Sequence, residues 1–164
     1  MSLAYLPEHT DNALLALDLA RKEVALLAYT HRTLFAQAID LDWVRSLAQR
    51  EDLAEKIDAF VSRFGRLQDH IGEKLIPRFA ALLGSTPKSL LDSLAYAENA
   101  GWVESAEAFV SARKIRNLLV HEYMAEADLF LEALQTADEA THMLTDTVSR
   151  IERQARELGI GTLR

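Results

Sequence analysis

Eleven consecutive residues, Arg113-Lys114-Ile115-Arg116-Asn117-Leu118-Leu119-Val120-His121-Glu122-Tyr123, place three cations, an amide, an imidazole and a phenol at the end of a segment that otherwise reads as buried helix. His121 supplies an imidazole, the side chain whose unperturbed pKa of about 6.5 suits donating and accepting protons near neutrality. Arg116 carries a permanent planar cation whose N–H groups suit a phosphate and the charge that builds on it. An Arg and a His around a phosphodiester suffice in principle for RNA cleavage, with the ribose 2′-OH as nucleophile. That scheme calls for no metal and no other cofactor. The competing reading is structural, with Arg, Asn and His satisfying the carbonyls and the dipole at a helix C-terminus.

At about 100° per residue, Arg113, Asn117 and His121 recur every four positions and share one helical stripe. Arg116 lies about 100° away from Asn117 around the same axis. It meets His121 only through its long side chain, through a helix loosened near Val120, or across a second copy of the chain.

The helix that carries these groups has Val103, Ala106, Phe109, Val110, Ala112, Ile115, Leu118 and Leu119 almost all round its axis, the pattern of a central bundle helix. Burial makes Arg113, Lys114 and Arg116 expensive unless each reaches a partner, a ligand or solvent. Snorkelling to the surface is the plain alternative to a functional site.

The run from Arg116 to Tyr123 resembles the R-N-x-x-x-H-x-Y signature of HEPN-domain proteins, and specifically their HepT branch of bacterial toxins. An R-x-x-x-x-H spacing alone is common; here an Asn follows the Arg and a Tyr stands two after the His. The resemblance extends upstream through Phe60-Val61-Ser62-Arg63-Phe64-Gly65-Arg66-Leu67-Gln68-Asp69 and the turn Gly84-Ser85-Thr86-Pro87, covering roughly residues 10 to 155. It implies a homodimer whose two motifs meet in a cleft as a composite, metal-independent endoribonuclease site. Arg116 would bind and polarise the scissile phosphate of an RNA substrate, His121 would transfer protons and Asn117 would orient the motif. Arg113 would support them, and Asp69 and Arg63 would face the motif across the fold. Proteins similar to HepT pair with a minimal nucleotidyltransferase antitoxin that transfers AMP to the motif tyrosine, whose position Tyr123 matches. Attached nucleotide there adds bulk and negative charge where RNA must dock. Two other readings stand beside this one: a non-catalytic subunit that binds substrate or nucleotide for a nucleotidyltransferase, and a structural helical protein whose motif is a cap.

Composition bounds these readings. At 164 residues, with 49% apolar content, three Pro and six Gly, the chain is one mostly helical domain spanning 1–164. No apolar run approaches the roughly 20 residues of a membrane span. Cys is absent, which fits a reducing cytoplasm, and no signal peptide is visible at the start. The formal charge of −7 repels a polyanion, so RNA binding requires a local basic patch.

The periodicity predicts an all-α, up-and-down bundle of four or five helices. The first runs from Thr10 or Asp11 along Leu14, Leu17, Ala20, Val24, Leu27, Ala28, Leu34, Phe35 and Ala38, with His31 as a seam residue. The second starts at Asp40-Leu41-Asp42, with a kink near Arg50 to Asp52, and carries Leu53, Ile57, Phe60, Phe64, Leu67, Ile71, Leu75, Phe79 and Leu82. Its Arg63, Arg66, Asp69 and His70 read by default as a solvated face, and Pro77 predicts a kink or break near Ile76. Gly84 ends that helix, with Thr86 as the next N-cap and Pro87 at the first helical position. A short helix from about Lys88 closes at Asn99-Ala100-Gly101. The last helix, with Phe130, Ala133, Ala137, Ala140, Leu144, Thr147, Ile151, Gln154 and Leu158, is long enough to pack along the first or along a second protomer. Residues 1–9 and 159–164 are expected to be loose. His9, His31, His70 and His142 lie scattered without metal-binding spacing, so no metal site is expected.

Overall fold

The apolar residues spaced three and four apart from Leu53 onward line one side of a long helical run, and all nine of them are buried. The computed structural model describes residues 4–121 and 125–161, with His121 described by its backbone alone. Within it the run divides into α3 (Glu51–His70), a π-helical turn (Ile71–Leu75) and α4 (Ile76–Leu82). The π turn stands where Pro77 would otherwise damage an α ladder, because proline has no N–H to give and its ring presses on the preceding turn. Of the kink or break expected near Ile76, no break occurs: the run continues past Pro77 by way of the π turn.

The other helices are α1 (Thr10–Leu34), α2 (Leu41–Ser46), α5 (Leu90–Asn99), α6 (Ala106–His121) and α7 (Ala127–Glu157). Taking α3, the π turn and α4 as one run, the described residues hold six helical segments and no strand, one segment more than the sequence suggested. The extra one is α2. Its N-cap Asp40 accepts a hydrogen bond from the Trp43 N–H at 2.8 Å, and it ends in a 3-10 turn at Leu47–Gln49. Arg50, at φ −125 and ψ 78, then breaks what the pattern joined as one helix.

In the bundle α1 packs on α3 and α7, while α6 packs on α7, α3 and α5. Leu17, Leu27, Leu34, Phe60, Phe64, Phe79, Phe109, Phe130, Leu144 and Ile151 meet in one core. Burying each such side chain is worth roughly 1.5–3 kcal/mol, which makes packing the main determinant of helix position. The outer face of α1 keeps Leu15, Leu19, Leu26 and Tyr29 exposed at helical spacing. No helix among the described residues is long and apolar enough to cross a membrane.

Helix ends account for several departures from expectation. Gly84 does take the left-handed conformation (φ 91), and the N–H groups of Gly84 and Ser85 close the end of α4 on Ala81 and Ala80 carbonyls. The next helix starts later than expected: Ser89, not Thr86, is its N-cap, with Oγ accepting from the Asp92 N–H at 3.1 Å. The chain ends described here are tied down. The Leu6 N–H donates to the Leu82 carbonyl at 2.8 Å, and Ile160 is buried with its N–H on the Ala155 carbonyl.

One correction bears on the site. The helix α6 is not enclosed: Phe109, Ala112 and Leu119 are buried, but Arg113, Lys114, Asn117, Leu118 and Val120 are exposed. Its apolar residues run nearly round the axis, yet the chain covers only one side of them. Arg113 and Lys114 therefore reach solvent directly and carry no burial cost.

Candidate functional site

Residue 116 sits at the inner edge of α6, where the helix turns from its buried to its exposed side. Its guanidinium is about a quarter exposed and crosses to α3, where Nη1 donates to Asp69 Oδ1 at 2.8 Å and to the Gly65 carbonyl at 3.2 Å. Gly65 and Asp69 are four apart, so they share a face of α3 and form the two ends of one seat. The seat depends on the missing side chain of Gly65, since a Cβ there would lie 2.8 Å from Arg116 Cδ and 3.3 Å from Nη1. A helix-interior Gly costs about 1 kcal/mol relative to Ala, so an interior Gly one turn before an acidic residue is a legible signal of close approach.

Asp69 thus lies across the fold from the motif, on Arg116. Arg63 does not: its Nη1 donates to Thr30 Oγ1 at 2.6 Å and to the Leu26 carbonyl at 3.0 Å, both on α1. His70 is not solvated either. It is buried, and its Nε2–H donates to the Ala16 carbonyl at 2.7 Å, joining α3 to α1. Arg66 alone of these cations is well exposed, with Glu23 at 4.0 Å.

The rest of the motif lies on the open side of α6. Arg113 and Asn117 share the exposed stripe with Lys114 beside them, flanked by Leu118 and Val120 at 39% and 47% exposure. The His121 side chain and all of Tyr123 lie outside the described residues. The backbone of α6 is helical through residue 121, so no loosening occurs near Val120. Five residues of continuous helix set positions 116 and 121 about 140° apart around the axis.

No family model, curated protein or solved structure matches this chain.

Chemistry of the arrangement therefore rests on its own geometry. The Arg116–Asp69 pair is partly solvated on both sides, which limits it to roughly 0–1 kcal/mol of stability. It does more to fix direction: one Nη1 is held while the remaining donors of the fork are not bound by the described residues. Arg113, Lys114 and Arg116 concentrate positive charge on one turn of a chain of net charge −7. The open groove of about 530 Å³ between α6 and α7 lies elsewhere, lined by Glu104, Glu107 and Glu139, and its carboxylates repel a phosphate.

A second constellation was missed. His31 of α1 and His142 of α7, read as scattered, stand together with Asp138, and one ligand atom from each lies within 4.8 Å of the others. His31 Nε2–H donates to Asp138 Oδ1 at 2.6 Å. The Asp138-x-x-x-His142 spacing was visible as one helical face; the arrival of His31 from a residue 107 positions away was not.

Proposed function

We propose that this chain is the toxin of a HEPN/nucleotidyltransferase toxin–antitoxin pair, a homodimeric endoribonuclease that cuts RNA without a metal in its reaction. In this reading the ribose 2′-OH attacks phosphorus and the P–O5′ bond breaks, leaving a 2′,3′-cyclic phosphate and a free 5′-OH. His121 handles proton transfer, taking the 2′-OH proton or giving one to the departing oxygen. Arg116 neutralises charge on the phosphoryl oxygens, Asn117 orients the motif, and Arg113 adds positive potential at the entrance. AMP placed on Tyr123 by the antitoxin blocks the cleft with bulk and negative charge.

The observation that carries this reading is the seat of Arg116. A guanidinium held by Asp69 and the Gly65 carbonyl, on a helix whose outer face shows Arg113, Lys114 and Asn117, is preorganised to receive an anion. The helical separation of positions 116 and 121 supports a composite site, in which each chain's arginine works with the other's histidine. Exposed Leu118 and Val120 supply an apolar border for such a contact.

The test is RNA cleavage and growth inhibition by the wild type, by Arg116→Ala and by His121→Ala, with folding followed by circular dichroism. Both substitutions abolish cleavage and leave the protein folded. A second reading draws on the same salt bridge: with Nη1 already engaged by Asp69, Arg116 acts as a latch in a non-catalytic subunit that binds nucleotide for a nucleotidyltransferase. Purified wild type that cleaves no RNA but still binds the nucleotidyltransferase decides for this alternative.

A further inference from the structure

We propose that His31, Asp138 and His142 form a binding site for one divalent transition-metal ion of the zinc class, bridging α1 and α7. The inference does not rest on the ribonuclease reading. Two imidazoles and one carboxylate are a donor set suited to Zn²⁺ and to related borderline ions, and poorly suited to Mg²⁺ or Ca²⁺, which favour oxygen donors.

The geometry is close to what such an ion needs. Metal–ligand bonds of about 2.0–2.2 Å at tetrahedral angles put ligand atoms roughly 3.3 Å apart. Here one ligand atom from each residue falls within 4.8 Å of the others, and His31 Nε2 stands 2.6 Å from Asp138 Oδ1. The three groups therefore need shifts of about an ångström, not a rearrangement of helices. Asp138 and His142 are one turn apart on α7, so a rigid element fixes two of the ligands. His31 is held by its neighbours, with its ring centroid 5.0 Å from Phe35, 6.3 Å from Phe60 and 5.2 Å from His142.

Access and exchange are equally direct. His142 is exposed and, with the half-buried His31, lines an open hollow of about 400 Å³ together with Thr141, Thr145 and Asp146, while Asp138 is half-buried beside His31. An ion enters from solvent without opening the core. On binding it takes the place of the hydrogen shared by His31 Nε2 and Asp138; that hydrogen moves to Nδ1 of the neutral ring, leaving the Nε2 lone pair for the metal. Water fills the fourth position. Asp146 is not among the groups whose ligand atoms converge and instead pairs with Arg150 at 2.8 Å. The bound ion clamps α1 and α7 together.

Isothermal titration of the untagged full chain with Zn²⁺ tests the site, alongside His142→Ala and Asp138→Asn. Loss of a supporting group alone commonly weakens a metal site 10–100-fold, so removing a direct ligand weakens Zn²⁺ binding by at least about 100-fold. His142→Ala keeps the His31–Asp138 hydrogen bond and gives up one edge contact of an exposed ring, so its melting temperature without metal falls by no more than about 2–4 °C. With Zn²⁺ at about a thousand times Kd, the wild type melts on the order of ten degrees higher and His142→Ala does not. Wild type that shows no saturable one-to-one binding overturns the proposal. So does His142→Ala binding Zn²⁺ within about threefold of wild type, because the ion then sits on other histidines.

Discussion

Substituting Gly65 by Ala isolates the seat of Arg116 from the stability of the fold. The new methyl would stand 2.8 Å from Arg116 Cδ, about 0.6 Å inside ordinary contact, and 3.3 Å from Nη1. The arginine is the mobile partner and swings outward, giving up its bonds to Asp69 and to the carbonyl of residue 65. Losing a partly solvated ion pair costs about 0.2–1 kcal/mol, and losing the carbonyl hydrogen bond about 0.5–1 kcal/mol more. Against this, Ala in place of a helix-interior Gly gains about 0.8–1 kcal/mol. The sum is within about 1 kcal/mol of zero, so the melting temperature moves by no more than about 2–4 °C. On the ribonuclease reading proposed above, RNA cleavage in contrast falls as it does for Arg116→Ala. Gly72→Ala provides the control: its methyl would meet Leu90 at 2.9 Å and Phe109 at 3.5 Å in packed core, costing about 1–3 kcal/mol through overpacking. Thermal melts and a cleavage assay on both variants give the comparison. Wild-type cleavage by Gly65→Ala would refute the role of the seat, and a loss of more than about 3 kcal/mol would show that Arg116 cannot move aside.

Other perturbations test the local accounts. Ser89→Ala removes the cap of α5 and costs about 1 kcal/mol by chemical denaturation, whereas Thr86→Ala is close to neutral; equal losses would contradict the assigned cap. Burial raises the Tyr96 hydroxyl above its ordinary pKa, beside Trp102 at 5.5 Å. The protonated form is favoured in the folded protein, so that contribution is complete below pH 10 and lost as pH rises through the tyrosine range. Tyr96→Phe should flatten the decline of stability at alkaline pH, and an unchanged slope would assign the decline to another group.

How far the sequence reaches depends on which interactions are local. The stripe from Leu53 to Leu82 was fully legible, because a 3.6-residue period and continuous burial report the same thing. Pro77 predicts a kink or a break, and the disturbance takes the form of a π turn without interruption of the helix: periodicity continues through such a turn, and a sequence pattern does not distinguish widening from interruption. The Thr86-Pro87 pair carried a familiar start signal, yet Ser89 with Asp92 three residues on offered a competing one that the backbone used. In α6 the apolar residues surround the axis, and periodicity cannot tell burial by this chain from burial by something else. The resemblance sets Asp69 opposite the motif but not on Arg116 in particular, while Gly65, an unfavourable residue inside a helix, marks a close approach there without naming the partner. His70 and Arg63 went astray because their partners are carbonyls and a hydroxyl of α1, which no side-chain pattern advertises.

The π turn at Ile71–Leu75 has a consequence for how this protein tolerates changes of length. It stores one residue beyond what an unbroken α ladder would use, so deleting a residue there closes an ordinary turn without tearing the helix. The i→i+5 turn spends its extra residue on nearly the rotation an α turn makes without it, so everything beyond keeps its facing relative to Gly65 and Asp69. Phe79 and Leu82 stay on the side they share with Phe60. The same deletion one turn earlier, within α3, instead rotates the rest of the run by about 100° and takes both anchors out of the core, which makes the π turn the place along this run where length can change without changing phase.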